Sequence, residues 1–286
     1  MADTNLITKA DLARAREFEF VETFKGSVNK LTEALGVTRM IPKQAGAMLK
    51  AYRATGTLES GAVAEGEIIP LSKYSVEPVA IGELVLNKWR KATSAEAIIE
   101  KGYDQAVEMT TDKMLSDVQK KIRGDFFSFL ATGEGTASGA GLQATLAQAW
   151  AQLQIKFEDD AISPVHFLNP LDVADYLATA QISMQTAFGM NYVENFLGLG
   201  TVFFNSSVPA KKIYSTAREN IVLYYVSAND ADLGEAFEFT ADESGLIGIH
   251  EEPDYTNLTA SNTVINGMQL FAERLDGVVV GTIAGE

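Results

Sequence analysis

Cysteine is absent from the 286 residues, histidine occurs twice and proline seven times. Without thiols the chain has no disulfide framework, zinc–thiolate centre, iron–sulfur cluster or thiol nucleophile. Two histidines are a poor supply of the usual neutral-pH proton carrier, which disfavours acid–base catalysis. No apolar stretch follows Met1, so no secretory signal is expected. The longest uncharged run, residues 135–155, contains seven Thr, Ser or Gln residues, so no membrane span is predicted.

The composition is that of a folded protein whose charge is unevenly distributed. Hydrophobic residues make up 47% and charged residues 21%, an ordinary globular balance, and the length fits about two domains. The net charge is −15, and residues 132–286 hold five Lys or Arg against twenty Asp or Glu. Residues 1–53 hold nine basic and six acidic residues. An acidic body does not neutralise phosphates, so general binding of duplex DNA is disfavoured.

Residues 1–44 have the pattern of an amphipathic helix. Asp11 is placed to cap this helix and Gly36 to end it. A narrow apolar stripe follows at spacings of three and four residues: Phe18, Val21, Phe24, Val28, Leu31 and Leu35. Such a stripe covers an apolar surface, which belongs either to the rest of this chain or to another chain.

Residues 45–92 have the pattern of a long two-stranded excursion with a flexible middle. The candidate strands are residues 48–53 and 79–89, and residues 55–67 between them are rich in Gly, Ala and Glu. A two-stranded ribbon is marginally stable alone in water, and its open edges favour pairing with another chain. This segment is therefore the first indication of an assembly.

Residues 93–135 give the strongest helical signal. Thr93 and Glu96 have the spacing of a capping box, and Gly133 and Gly135 are placed to end the helix. Apolar residues recur mostly every four positions between them: Ile99, Tyr103, Val107, Met114, Val118, Ile122, Phe126 and Leu130. Such a helix is roughly 60 Å long. Because the stripe is too irregular for heptads, the spine of an elongated subunit is favoured over a coiled coil.

Residues 136–286 have the mixed pattern of an α/β body. One helical face consists of Leu142, Leu146, Trp150, Leu153 and Phe157. Residues 165–168 form a short buried strand, after which Asn169 and Pro170 start another helix. Further strands are predicted near residues 201–204, 212–214, 221–226, 246–250, 268–274 and 278–283. Asp276-Gly277 is a hairpin turn signal between the last two.

The sequence has no nucleotide-binding or nucleophile motif whose predicted flanking elements fit that motif. The chain has no Gly-Lys-Ser/Thr phosphate loop and no Gly-x-Ser-x-Gly elbow. Residues 139–144 match a relaxed dinucleotide fingerprint that opens a helix. That fingerprint needs a strand before it, whereas a long helix is predicted there. A loop between two helices is therefore the favoured interpretation of Gly139.

The two histidines are not placed for catalysis or metal binding. His166 lies in an apolar run with no Ser or carboxylate beside it at a known spacing, which favours a satisfied core or interface histidine over a base. A second group contains possible metal ligands: His250, Glu251, Glu252 and Asp254. Neighbours on a strand point to opposite faces, so these side chains converge only if the chain turns at Pro253. A solvated acidic turn is favoured over a cation site. We predict no catalytic residue, no metal site and no cofactor.

Four short sequence passages, taken in their order along the chain, resemble those of a known protein family. They are an extended loop entering the capped helix (85–89), a strand with an Asn-Pro helix start (167–170), a Leu-Gly, Val and Pro passage (196–202 and 208–209), and final strands (270–280). In this order and spacing, the chain resembles the major capsid protein of tailed bacteriophages over nearly its whole length. That family has the Hong Kong 97-type fold.

The resemblance implies an α+β protein with five segments. Residues 1–44 are the N-terminal arm, 45–92 the extended β loop, and 93–135 the spine helix of the peripheral domain. Residues 136–245 are a mixed α/β axial domain, and residues 246–286 are strands that return to the peripheral domain. The arm is too short for a large fused scaffolding segment, which implies a separate scaffolding protein or none.

The implied function is structural rather than enzymatic. Copies of the chain form hexamers and pentamers that close into the icosahedral head of a virion, assembled in the cytoplasm of a host bacterium. The implied partners are other copies, a portal, a scaffolding protein and packaged double-stranded DNA, which the acidic chain contacts weakly and non-specifically. No membrane partner is expected.

Charged residues of the loop region are the candidates for inter-subunit pairs, with a solvated surface residue as the alternative at each position. They are Arg53, Glu65, Glu67, Lys73, Glu77, Lys88 and Arg90. Some members of the family cross-link a loop Lys to an Asn of a neighbour. Lys73 lies in the loop, but the sequence identifies neither its partner nor an assisting carboxylate, so no cross-link is predicted.

Two other functions remain open from the sequence. The first is a bacterial encapsulin, a shell of the same fold that holds a cargo enzyme and needs a groove for a cargo peptide. The second, remote alternative is a dinucleotide-binding enzyme based on Gly139, which predicts a small stable oligomer with dinucleotide affinity.

Overall fold

The computed structural model describes residues 9–158, 160–179 and 183–285. Its α-helices in these ranges are α1 (Lys9–Leu35), α2 (Ala95–Lys101), α3 (Met109–Leu130), α4 (Gly141–Lys156), α5 (Pro170–Thr179) and α6 (Ala231–Ala236). Its strands are β1 (Met40–Pro42), β2 (Met48–Thr57), β3 (Lys73–Glu83), β4 (Asn87–Ser94), β5 (Gly135–Ala140), β6 (Pro164–Leu168), β7 (Gln185–Ala187), β8 (Met190–Val193), β9 (Thr201–Phe204), β10 (Lys212–Ala217), β11 (Ile221–Tyr225), β12 (Thr240–Ala241), β13 (Ile247–Asp254), β14 (Thr259–Asn266), β15 (Gln269–Ala272) and β16 (Val279–Ala284).

Four sheets organise the described strands. The largest has seven strands in the order β5-β16-β10-β6-β9-β8-β7, and a second has four in the order β12-β13-β14-β4. A three-stranded sheet has the order β1-β11-β15, and β2 and β3 pair only with each other. The prediction of a mixed α+β protein is thus confirmed. Among the described helices, none has the length and apolar character that a membrane crossing requires.

Helix α1 packs into the hydrophobic core of its own chain. Val21, Phe24 and Val28 are fully buried and share one cluster with residues of α3 and of the two larger sheets. Phe18 was predicted in the buried stripe but is 53% exposed, whereas Phe20 is 6% exposed. The other five residues of the predicted stripe are buried, and at its N-terminal end Glu17 and Phe20 are buried instead of Phe18. Asp11 lies inside α1 rather than at its cap, and Gly36 ends the helix as predicted.

The predicted spine helix is interrupted. Strand β4 extends to Ser94, and the cap of α2 is Ser94, whose hydroxyl accepts from the Ala97 amide at 3.3 Å. The Thr93 capping box was therefore wrong. Helix α2 ends at Gly102, whose φ of 82° is in the region that favours glycine. A π-helical turn at 104–108 then leads into α3, so the longest continuous α-helix of the spine is 22 residues long.

The extended excursion is present with different strand bounds. Strand β3 begins at Lys73 and ends at Glu83, and β4 begins four residues later in a different sheet. The predicted single strand at 79–89 therefore spans two strands. Thr57 pairs with Lys73 at the far end of the ribbon, which leaves residues 58–72 as its tip.

The seven-stranded sheet forms the body around several aromatic side chains. Phe167 of β6 is fully buried and stacks on Phe203 of β9 with ring centroids 5.5 Å apart. Phe126 and Phe127 of α3 meet Phe167 edge-on, which fixes the spine on this sheet. The predicted hairpin at Asp276-Gly277 was wrong. These residues belong to a short 3₁₀ turn that joins β15 and β16, which lie in different sheets.

Candidate assembly surfaces

The β2–β3 ribbon, residues 48–83, exposes an unusual amount of apolar surface. Its tip carries Leu58 at 77% exposure, Ile68 at 94% and Leu71 at 93%. Ile69 at the tip and Tyr52, Tyr74 and Val76 on the strands are also exposed. Large contiguous apolar patches on a soluble protein mark interaction sites. The sequence signal was the Ile-Ile-Pro-Leu run at 68–71, which the assignment of a flexible middle overlooked.

The charged residues predicted at subunit contacts lie along this ribbon and on β4. Glu65, Glu67, Lys73, Glu77 and Lys88 are exposed. Among the described side chains, Glu65, Lys73 and Lys88 make no ion pair within the chain.

The two arginines of the predicted set have different positions. Arg90 is also exposed, and its guanidinium donates to the Ser261 hydroxyl at 3.2 Å within the chain. Arg53 lies opposite Glu77 in the β2–β3 register, and its side chain lies outside the described residues. Their role at a subunit contact stays a prediction.

The context of Gly139 differs from the sequence prediction. Strand β5 comes directly before α4, so the strand that the dinucleotide fingerprint requires is present. The glycine serves packing within the fold, because a Cβ at Gly139 would lie 2.6 Å from the Thr145 nitrogen of α4. The Thr145 hydroxyl donates to the Gly139 and Gly141 carbonyls at 3.1 and 2.8 Å. The close approach of helix to strand explains this glycine without a bound phosphate.

His166 is a core histidine, as predicted, although a serine does lie beside it. The ring is fully buried, with Nδ1 at 2.7 Å from the Ser215 hydroxyl and Nε2 at 3.2 Å from the Leu199 carbonyl. Because a carbonyl only accepts, Nε2 carries the proton and Nδ1 accepts from Ser215. Burial lowers the pKa of His166 to about 4, so the ring is neutral at physiological pH. Ser215 is also fully buried, which leaves this pair no access to a substrate.

This buried ring is expected to make stability depend on pH. The pKa of His166 falls from 6.5 in a free side chain to about 4 in the folded protein, so stability is complete above pH 6.5 and decreases as the pH falls toward 4. Between pH 7 and 4.5, His166 is expected to remove about 2–3 kcal/mol of unfolding free energy. Urea unfolding of unassembled His166→Gln subunits should show a pH dependence weaker by this amount.

A pH dependence that the His166→Gln substitution leaves unchanged would contradict the assignment to His166.

The group of possible metal ligands near residue 250 lies on a strand rather than in a turn. His250, Glu251 and Glu252 lie on β13, and Pro253 pairs with Ala260 inside the β13–β14 ladder. The prediction of a turn at Pro253 was therefore wrong. No group of three or more His, Asp or Glu residues within the described ranges could hold a metal ion.

Glu251 instead helps to hold α1 on the four-stranded sheet. Its carboxylate accepts from the Arg16 guanidinium at 3.0 Å. Its backbone amide donates at 2.6 Å to Glu17, a residue only 5% exposed. The Thr240 hydroxyl donates to the second oxygen of Glu17. Both Glu17 oxygens are thus satisfied, which makes its burial tolerable.

The chain combines an extended ribbon, an interrupted spine, a seven-stranded body and a second antiparallel sheet, and it shares the Hong Kong 97-type fold with the solved capsid structures that it matches. No protein-family profile and no curated protein matches the sequence. Solved structures of this fold match over most of the chain. The cyanophage A-1(L) capsid asymmetric unit has a TM-score of 0.58 at 12% identity and covers 90% of this chain and 93% of its own.

Two further capsid or particle structures agree in coverage. The capsid of a native GTA particle has a TM-score of 0.57 at 10% identity, with 87% of this chain and 89% of its own covered. A virus-like particle from Pyrococcus furiosus has a TM-score of 0.53 at 12% identity, with 92% and 97% covered. The structural similarity establishes a shared fold, and because the sequence identities are low it establishes the fold alone.

Proposed function

We propose that this chain is the major capsid protein of a tailed double-stranded DNA bacteriophage or prophage. The observation that carries the proposal is the capsid fold together with a ribbon that exposes apolar side chains at its tip and along its strands. A ribbon of two strands has marginal stability alone, and contact with a neighbouring subunit covers its apolar surface. The contact is heterologous: the ribbon of one copy lies over the body of the next.

The same proposal includes the assembly and its partners. Copies form hexamers and pentamers of an icosahedral virion head, assembled in the host bacterial cytoplasm with a portal and a separate scaffolding protein. Packaged DNA is held weakly, because a net charge of −15 opposes tight neutralisation of phosphates. Arg53, Glu65, Glu67, Lys73, Glu77, Lys88 and Arg90 remain candidates for contacts between copies. We propose no catalytic role.

The purified chain is expected to form closed shells, open sheets, or rings of five and six subunits. Negative-stain electron microscopy and the mass from light scattering would detect them. A monomer or dimer that persists at high concentration, with and without a phage scaffolding protein, contradicts the proposal. Shells purified with a bound host enzyme would instead support the encapsulin alternative.

A further inference from the structure

The ribbon has two chemically different faces. Directly opposite residues of paired strands share a face, and the register places Tyr52 opposite Pro78, Ala54 opposite Val76, and Gly56 opposite Tyr74. These six residues, the apolar face (Tyr52, Ala54, Gly56, Tyr74, Val76 and Pro78), are uncharged, and Lys50 lies on the same side nearer the root of the ribbon. The reverse, polar face includes Thr55 opposite Ser75, with their hydroxyl oxygens 3.1 Å apart, and Thr57 opposite Lys73.

The apolar face is built in advance of any partner. The Tyr74 ring covers the backbone of Gly56, since a Cβ there would lie only 2.2 Å from the Tyr74 Cδ1 atom. Tyr74 is nevertheless 61% exposed, Tyr52 74% and Val76 62%. An aromatic ring held over a glycine loses little conformational freedom on binding, which is typical of an interface anchor.

The apolar face continues the side of the ribbon that is exposed at its root. At the root of the ribbon, Leu49 is buried at 3% exposure among Leu84 and Phe271, whereas Met48 is 57% exposed and Lys50 is exposed. Strand alternation places Tyr52 on the exposed side with Met48 and Lys50, and Thr55 on the side of Leu49. The polar face therefore continues the side of the ribbon that is buried at its root.

We propose that the ribbon docks on a second copy of the chain through its apolar face. The inference rests on the shell function proposed above. In this arrangement Lys73 lies on the polar face, which does not contact the second copy. This differs from the prediction that Lys73 forms a charged contact between subunits. If the seven exposed apolar side chains of the tip and strands each lose on the order of 100 Å² on docking, about 700 Å² is buried, close to one partner's share of a standard interface.

The absence of cysteine allows a direct test. Val76→Cys and Ser75→Cys place single thiols on adjacent residues of opposite faces. Reaction with a maleimide is compared in assembled shells and in dissociated subunits of each variant. Assembly is expected to slow labelling at position 76 by about tenfold or more and to leave position 75 within about twofold.

Function and docking face can fail separately in this experiment. Shells in which position 75 is protected and 76 is not, or in which both change equally, overturn the docking face while the shell function stands. Absence of shells from the wild-type chain under all assembly conditions overturns the shell function and the inference with it. A Tyr52→Thr, Val76→Thr variant keeps strand-forming residues and is expected to reduce shell yield at least about tenfold. Normal shells from that variant also overturn the inference.

Discussion

Replacing Phe24 with Ala is expected to lower the free energy of unfolding by about 3–5 kcal/mol. Phe24 is fully buried, and its ring meets the ring of Phe188 edge-on at 6.0 Å. The substitution leaves a cavity where α1, α3 and the β7–β8 hairpin share one hydrophobic cluster. Urea denaturation of unassembled subunits, followed by circular dichroism, measures the change.

Phe18 gives the matched control on the same helix. It is 53% exposed, so Phe18→Ala is expected to change the unfolding free energy by about 0.5 kcal/mol or less. Equal losses for the two substitutions would show that α1 does not pack on the body through Phe24. With the expected result, α1 is a component of the folded subunit, and cleavage near Gly36 would remove part of its core.

Replacing the ribbon tip, residues 58–72, with Asn-Gly is expected to reduce shell yield by about 100-fold and to leave subunit stability unchanged. Thr57 and Lys73 are directly paired, so a two-residue turn can join them. The deletion removes Leu58, Ile68, Ile69 and Leu71, the exposed apolar side chains of the tip. Sedimentation separates shells from subunits, and thermal unfolding reports stability.

A Glu65→Gln, Glu67→Gln variant is the control, because it keeps the length and the apolar residues of the tip. It is expected to yield shells within about threefold of the wild-type amount, since exposed charges contribute little. Normal assembly of the Asn-Gly variant would contradict a role of the tip. Loss of assembly only in the double Gln variant would support the charged contact that was predicted from the sequence.

The sequence predicted the order of elements better than their ends. The apolar repeats identified α1, α3 and α4, because burial imposes a period of 3.6 residues on a helix. The same repeat continued through residues 99–107 and concealed the break at Gly102 and the π-helical turn. Strand β5 was missed because its sequence, Gly-Thr-Ala-Ser-Gly-Ala, has no apolar alternation. Its place is determined by parallel pairing with β16, which is far away in sequence.

The sequence predicted where the candidate assembly surface lies, but it did not predict that the exposed contact residues are apolar. Composition identified the excursion and its need for a partner, and charged residues were the visible contact candidates. The apolar face depends on the register between β2 and β3, which brings Ala54 beside Val76 and Gly56 beside Tyr74. No local pattern in either strand contains that register. His166 has the same limitation, because Ser215 reaches it across the β6–β10 ladder.

The position of β16 has a consequence for the synthesis of the protein. This strand lies between β5 and β10 and is the link that joins β5 to the other five strands of the seven-stranded sheet. Residues 135–140 leave the ribosome long before residues 279–284, so β5 cannot pair with β16 until the last strand has been synthesised. A chain that ends before residue 279 therefore lacks the strand that joins β5 to the rest of this sheet.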